Sequence, residues 1–261
     1  MTEHTNSSKL ARLCLVTAVD VEFKTATALL AEKTISAESN FKICRGMVDD
    51  RTITVLQCGI GARGFADWLT QHLTKNCYDA LIVAGLAGAL DPRLKTGDVI
   101  VYDHCLDARG AIEELTPTDL PIQHSHRQAE LIRTLLDALR ESALNCVYGS
   151  GITVNHVVVN AQDKLWMGQQ HQAVAVDMES FDVLQVATKC GVPAAVVRVI
   201  SDEAEHDLPD FNAAAEPDGT INPRRMAAAM LQRPVASARF LRNLKLVLAA
   251  LRNVLEVVVR V

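Results

Sequence analysis

The feature that most constrains this chain is a repeated alternation of short apolar runs with amphipathic stretches. "RLCLVTAV" (12–19), "DALIVAGLAGAL" (79–90), "GDVIVYDHCL" (97–106), "AVAVDM" (173–178) and "PAAVVRVIS" (193–201) are almost continuously hydrophobic and bounded by polar or turn residues. Runs of that length and character predict strands buried on both faces. "DVEFKTATALLAE" (20–32), "GARGFADWLTQHLTKNC" (61–77), "QAELIRTLLDALRESA" (128–143) and "SFDVLQVATKCG" (180–191) carry apolar residues at helical spacing, the last with Gly191 placed as a C-cap. "FKICRGMVDDRTITVLQCG" (41–59) predicts two strands about an Asp-Asp turn, and "NCVYGSGITV" (145–154) predicts another. The polar, proline-bearing residues 107–126 predict an exposed flap. Strand–helix alternation of this kind gives a single three-layer α/β/α domain around a mainly parallel, mixed sheet.

Composition removes several function classes. The formal net charge of −5 offers no footprint for nucleic acid. Seven cysteines, an odd number and never at CxxC spacing, predict neither a zinc site nor a disulfide framework but reduced thiols. The eight histidines show no metal-ligand spacing; His104, His124 and His126 read as solvated or capping groups. The polar N-terminus is not a signal peptide, and no apolar run reaches the roughly 18 to 20 residues that span a bilayer, so a cytoplasmic protein is expected. No GxGxxG follows the first strand and no Walker sequence is present, which disfavours NAD and ATP.

In sheets of this class, ligands bind beyond the carboxyl ends of the strands. Those ends carry Asp20 and Glu22, then Gly85 to Gly88 in an expected Gly-rich turn, then Asp177, Met178 and Glu179, then Ser201 and Asp202. Each acid alone reads equally well as a helix cap. Three acidic strand ends at one sheet edge suit glycosidic cleavage through a cationic sugar-like transition state, where one acid protonates the leaving group and another activates the nucleophile. A methionine between them can lie under a ribose without competing for its hydroxyls.

"AVDVEF", "CGIGARG", "VAGLAGALDPRLKTGDVIV", "VAVDMES" and "VVRVISDEAE", in this order and spacing, resemble the nucleoside phosphorylase/nucleosidase superfamily, and within it the methylthioadenosine/S-adenosylhomocysteine nucleosidases, over about residues 12–205. The resemblance implies that Glu22 activates the attacking water and Asp202 donates a proton to N7 of the departing purine. It implies that Glu179 binds the ribose hydroxyls, Met178 lies against the sugar, and Leu86, Ala87, Gly88, Val157, Val158 and Ser201 line the substrate site. No cofactor or metal is implied; inorganic phosphate enters only as a co-substrate of the phosphorolytic alternative. That alternative is weakened because Leu86 stands where the family's turn carries Ser or Thr, and Ala84 where its phosphorylases place an arginine. Arg63 reads either as a substitute anion contact or as a solvated helix-start residue, and Arg198 as a ligand contact or a buried structural ion pair.

Beyond residue 205, "DLP", "PDG", "LQRP" and a basic final helix resemble one branch, the hopanoid-associated phosphorylases (adenosylhopane nucleosidases), which implies an apolar, lipid-linked substrate. Residues 1–233 are expected to form the nucleoside phosphorylase-like domain, with 234–261 its C-terminal extension. In that extension Phe240, Leu244, Val247, Leu248, Leu251, Val254, Leu255 and Val258 recur at helical spacing beside Arg239, Arg242, Lys245, Arg252 and Arg260. Such a basic amphipathic helix either touches the inner face of a membrane peripherally or packs its stripe on the domain or across a homodimer.

Overall fold

The computed structural model describes residues 10–62, 64–109, 118–121, 125–216 and 220–261, by backbone alone at 62 and 118–121. β1 (Arg12–Thr17) runs into α1 (Asp20–Thr27); β2 (Ala31–Glu38), β3 (Phe41–Val48) and β4 (Arg51–Gln57) follow, then α2 (Phe65–Lys75) and β5 (Ala80–Ala89). β6 (Val99–Asp107), β7 (Thr118–Pro121), α3 (His126–Glu141), β8 (Cys146–Thr153), α4 (Ala161–His171) and β9 (Ala175–Asp177) form the middle of the chain. α5 (Ser180–Lys189), β10 (Ala194–Asp202), α6 (Pro223–Gln232) and α7 (Pro234–Val258) complete it. The fold is α/β, and among the described residues ten strands form one mixed sheet.

β5 organises the sheet. Its first half pairs with β1, its end pairs with β9, and β10 runs along its other edge. Because β10 also pairs with β6, β6 with β8 and β8 with β9, five strands close into a ring while β1, β4, β3 and β2 extend from it as an arm. β1, β5 and β10 are parallel, so their carboxyl ends point the same way. The expected dominance of parallel pairing holds at this centre; the hairpin arm and the β5–β9, β6–β7 and β6–β10 pairs are antiparallel.

Several expectations need correction. Gly85 to Gly88 are not a turn: β5 continues through them to Ala89, because β10 supplies a partner for each of these residues. The strand β2 was not foreseen, since "AEKTISAE" is polar and exposed throughout and is held only by its ladder to β3. Of the flap expected at 107–126, Thr118–Pro121 form a strand paired with β6 and α3 begins at His126; residues 110–117 and 122–124, His124 among them, lie outside the described residues. The helix expected over 20–32 ends at Thr27, and α4 and α6 were not foreseen; Asp49 and Asp50 do form the β3–β4 turn, and Gly191 has φ of 68° after α5.

α7 lies against β10, β5, α1, α3 and α6, with Val247, Leu251, Val254, Leu255 and Val258 buried. Phe240, Leu244 and Leu248 are only half-buried, and Val235, Leu241 and Leu246 are exposed. The C-terminal half of the apolar stripe is therefore core. All seven cysteines are free, four of them buried.

Candidate active site

β1 ends where α1 begins, and Glu22 sits in the first turn of that helix. Its Oε2 accepts hydrogen bonds from the N–H groups of Ala18 (2.7 Å) and Val19 (3.0 Å), the geometry by which an acid at the third helical position satisfies orphan donors. Its Oε1 accepts from the Leu86 N–H of β5 at 2.8 Å. A side chain at Gly85 would collide with this arrangement: a Cβ there would lie 2.6 Å from Glu22 Oε1 and 2.9 Å from Arg198 Nη1. Glycine is required because two charged groups occupy the space above the strand.

Arg198, mid-strand in β10 and 1% exposed, is the hub. Its Nη2 donates to Ser180 Oγ (2.8 Å) and Glu179 Oε2 (3.4 Å), and its Nη1 to the Leu86 carbonyl (3.4 Å). Its Nε lies 3.2 Å from Asp177 Oδ2, an ion pair without hydrogen-bond alignment. Asp177 is saturated. Its Oδ1 accepts from Thr153 Oγ1 and from the N–H groups of Glu179 and Ser180, and its Oδ2 accepts from the Tyr102 and Ser180 hydroxyls. Burial alone would raise its pKa, but Arg198 and these donors outweigh that and hold it below the usual carboxylate value. Asp177 thus caps α5 and neutralises Arg198, a structural role. Arg198 follows its reading as a buried structural ion pair, one that also reaches Glu179.

Glu179 is placed differently. β9 runs antiparallel to the end of β5, which carries Glu179 back toward the Glu22 side of the cluster. The Gly61 N–H, presented by a backbone with φ of 71°, donates to its Oε1 at 3.1 Å. Burial pushes its pKa up to about 7 against the opposing charge of Arg198, with Asp177 and Glu22 adding to the rise. The folded protein therefore binds a proton there that the unfolded chain releases above about 4.5, so this group's contribution to stability declines as pH rises from about 4.5 to about 7. In urea unfolding across that window, the wild-type midpoint falls relative to that of Glu179→Gln; parallel midpoints would contradict the assignment.

Asp202 ends β10. Its Oδ1 accepts from Ser201 Oγ (2.6 Å), and its Oδ2 from Lys164 Nζ (2.5 Å). Ser201 also lies 3.1 Å from the Ala87 carbonyl, and Gly88 lies beneath the Asp202 carboxyl group. Met178 packs against a small apolar cluster that includes Val158, Ile152, Val154, Met167 and Val176. Val157 is half-buried, its N–H donating to Asn212 Oδ1. Glu22, Leu86, Glu179 and Arg198 thus meet at one end of β5, and Ala87, Gly88, Ser201 and Asp202 continue along it, with Met178 and Val158 beside them. Asp20 is not among them: it is exposed and pairs with Lys24 and Lys42. Arg63 lies outside the described residues.

Lys164, Tyr102, Thr153 and Ser180 were not singled out from the sequence. Lys164 sits three residues before Met167 on the buried face of α4, a phase that marks it as a non-solvated lysine once the helix is known. Among the described residues no group of three or more His, Cys, Asp or Glu side chains could hold a metal ion. Cavities of about 370 Å³ beside α4 and about 630 Å³ between α2 and the β2–β3 hairpin lie elsewhere, and each offers a single carboxylate.

The sequence matches the family model for the phosphorylase superfamily over residues 12–234. It is 27% identical over 202 residues to the 5'-methylthioadenosine/S-adenosylhomocysteine nucleosidase of Haemophilus ducreyi, covering 74% of this chain and 86% of that protein. It is 27% identical over 172 residues to the Staphylococcus aureus protein of the same name, covering 64% of this chain and 75% of that one. The fold is shared with the Neisseria meningitidis nucleosidase crystallised with methylthio-immucillin-A (TM-score 0.73, 16% identity, 96% and 99% of the two chains). It is also shared with the futalosine hydrolase of Helicobacter pylori (TM-score 0.67, 19% identity, 90% and 97%). With a family match running from the first strand through Pro234 and the acidic strand ends gathered around β5, the chain belongs to the phosphorylase superfamily.

Proposed function

We propose that this protein hydrolyses the N-glycosidic bond of a purine ribonucleoside and releases adenine. The observation that carries this reading is the gathering of Glu22, Glu179 and Asp202, from three separate parts of the chain, along the last five residues of β5. Glu22 takes the proton of the attacking water and Asp202 protonates N7 as the C1′–N9 bond breaks. Glu179 accepts from the ribose hydroxyls, and Met178 covers an apolar face of the sugar. Leu86, Ala87, Gly88, Ser201, Val157 and Val158 frame the remainder of the nucleoside.

Water is favoured over phosphate by the same geometry. The Leu86 N–H, the backbone donor a phosphate would use, is already given to Glu22. Among the described residues the cation beside Glu22 and Glu179 is Arg198, which is shared by Asp177 and Glu179. A phosphate entering there would meet three carboxyl groups and, among the described residues, no unshared positive charge.

The 5′ substituent we assign to adenosylhopane on the sequence pattern after residue 205. The names of the curated relatives supply the alternatives, 5'-methylthioadenosine and S-adenosylhomocysteine. A homodimer, a cytoplasmic location, and peripheral membrane contact through the exposed Val235, Leu241, Arg242, Lys245 and Leu246 belong to the same proposal. No helix among the described residues is long and apolar enough to cross a membrane. Mass spectrometry of products from adenosylhopane, methylthioadenosine and inosine, each with and without phosphate, tests the reading. Free ribose-type products and adenine support it; phosphorylated sugar or no cleavage at all refutes it.

If Glu179 is the ribose clamp, a 2′-deoxy substrate leaves a buried acceptor unpaired, at a cost of about 1–3 kcal/mol. Wild-type kcat/KM is expected to drop by about ten- to a hundredfold on such a substrate, and Glu179→Gln to narrow that gap. Equal rates on ribo- and deoxyribonucleosides would remove Glu179 from this role.

A further inference from the structure

Lys164 is fully buried, and all three of its ammonium protons are used: Nζ donates to Asp202 Oδ2 (2.5 Å), to the Glu203 carbonyl (3.1 Å) and to the His206 carbonyl (2.9 Å). Lysine is almost never fully buried without a partner, and an interior ion pair is costly to desolvate. A structural tie between α4 and the 203–206 turn would be met by any uncharged donor. The charge is spent at one atom, the Asp202 oxygen. With Oδ2 occupied, the proton of the acid form belongs on Oδ1. There it can donate to Ser201 Oγ, whose own hydrogen is directed to the Ala87 carbonyl.

We infer that Lys164 is a positioning residue that acts through Asp202, holding its Oδ2 and stabilising the carboxylate that forms when the acid gives up its proton. The inference rests on Asp202 being the general acid of the proposed reaction. In that reaction the C1′–N9 electron pair leaves with the purine, and N7 takes the proton from Asp202. Water adds OH to C1′ and passes its proton to Glu22. The negative charge that appears on Asp202 is born beside the Lys164 ammonium, so the cation contributes most after proton transfer has begun. Release of neutral purine and return of a proton from Glu22 to Asp202 through solvent complete the cycle.

The test compares wild type, Lys164→Met, Lys164→Arg and Asp202→Asn on a purine ribonucleoside and on para-nitrophenyl riboside, whose leaving group departs without protonation. K164M is expected to lower kcat for purine release about ten- to a hundredfold with little change in KM, and to move the alkaline limb of the pH profile to higher pH. K164R, which keeps the charge, should recover part of the loss, and the nitrophenyl substrate should be cleaved by both Lys164 variants at near wild-type rate. Parallel loss on both substrates, an unmoved alkaline limb, or failure of both K164M and K164R to fold would make Lys164 structural and overturn the inference. Full purine release by D202N would instead overturn the assignment of the acid, leaving the two failures distinct.

Discussion

Asp202→Asn lowers the rate of purine release by about a hundred- to ten-thousand-fold, the range general acid catalysis supplies. The substitution is nearly isosteric, and each contact has a counterpart. An amide oxygen still accepts from Lys164 Nζ, and an amide nitrogen facing Ser201 Oγ donates as the protonated acid would. Only the transferable proton is lost. Thermal unfolding should therefore stay close to wild type while turnover collapses, and single-turnover adenine release measures the second. An Asn variant with near-wild-type turnover would strip Asp202 of its role.

Truncation after Arg233 abolishes folding. Removing α7 exposes the surfaces that Val247, Leu251, Val254, Leu255 and Val258 cover on the sheet and on α1 and α3. Five buried aliphatic side chains at about 1.5–3 kcal/mol each amount to the whole stability of an ordinary domain, about 5–15 kcal/mol. Insoluble or molten protein on expression is the expected result; a folded, cooperative fragment by circular dichroism and calorimetry would show α7 to be an appendage. Membrane contact is accordingly tested on the whole chain, by co-sedimentation with anionic liposomes before and after Arg242→Glu and Lys245→Glu on the exposed face.

The strands of the ring were legible because burial on both faces leaves a nearly unbroken apolar signature, as in Ala80–Val83 and Ala194–Ile200. The acids Glu22, Glu179 and Asp202 were legible because each interrupts or follows such a run. β2 was not, since an exposed edge strand carries no burial pattern and owes its form to β3. Ring closure was equally hidden: which strand β10 pairs with is a long-range property that no local window encodes. Asp177 was read among the acidic strand ends of the site, although it is spent on Tyr102, Thr153, Ser180 and Arg198. Three of those partners, Tyr102, Thr153 and Arg198, lie far away in sequence, and one-dimensional spacing cannot separate an anchor from a ligand contact. Lys164 was missed because a lysine beside Gln162 and Asp163 looks solvated until its helix phase is fixed by packing.

The absent side chain at Gly85 has a consequence for how such a protein can change over generations. Residues 22, 85 and 198, remote in the chain, share one small volume: the strand is bare because a carboxyl group and a guanidinium fill the place of its Cβ. A drift toward alanine at 85 meets two neighbours that cannot retreat, since Glu22 is held by three backbone amides and Arg198 by Asp177, Glu179 and Ser180. A side chain at 85 is thus closed to any single substitution. The descendants of this sequence would have to alter all three positions together, which makes the trio an inherited unit rather than three independent choices.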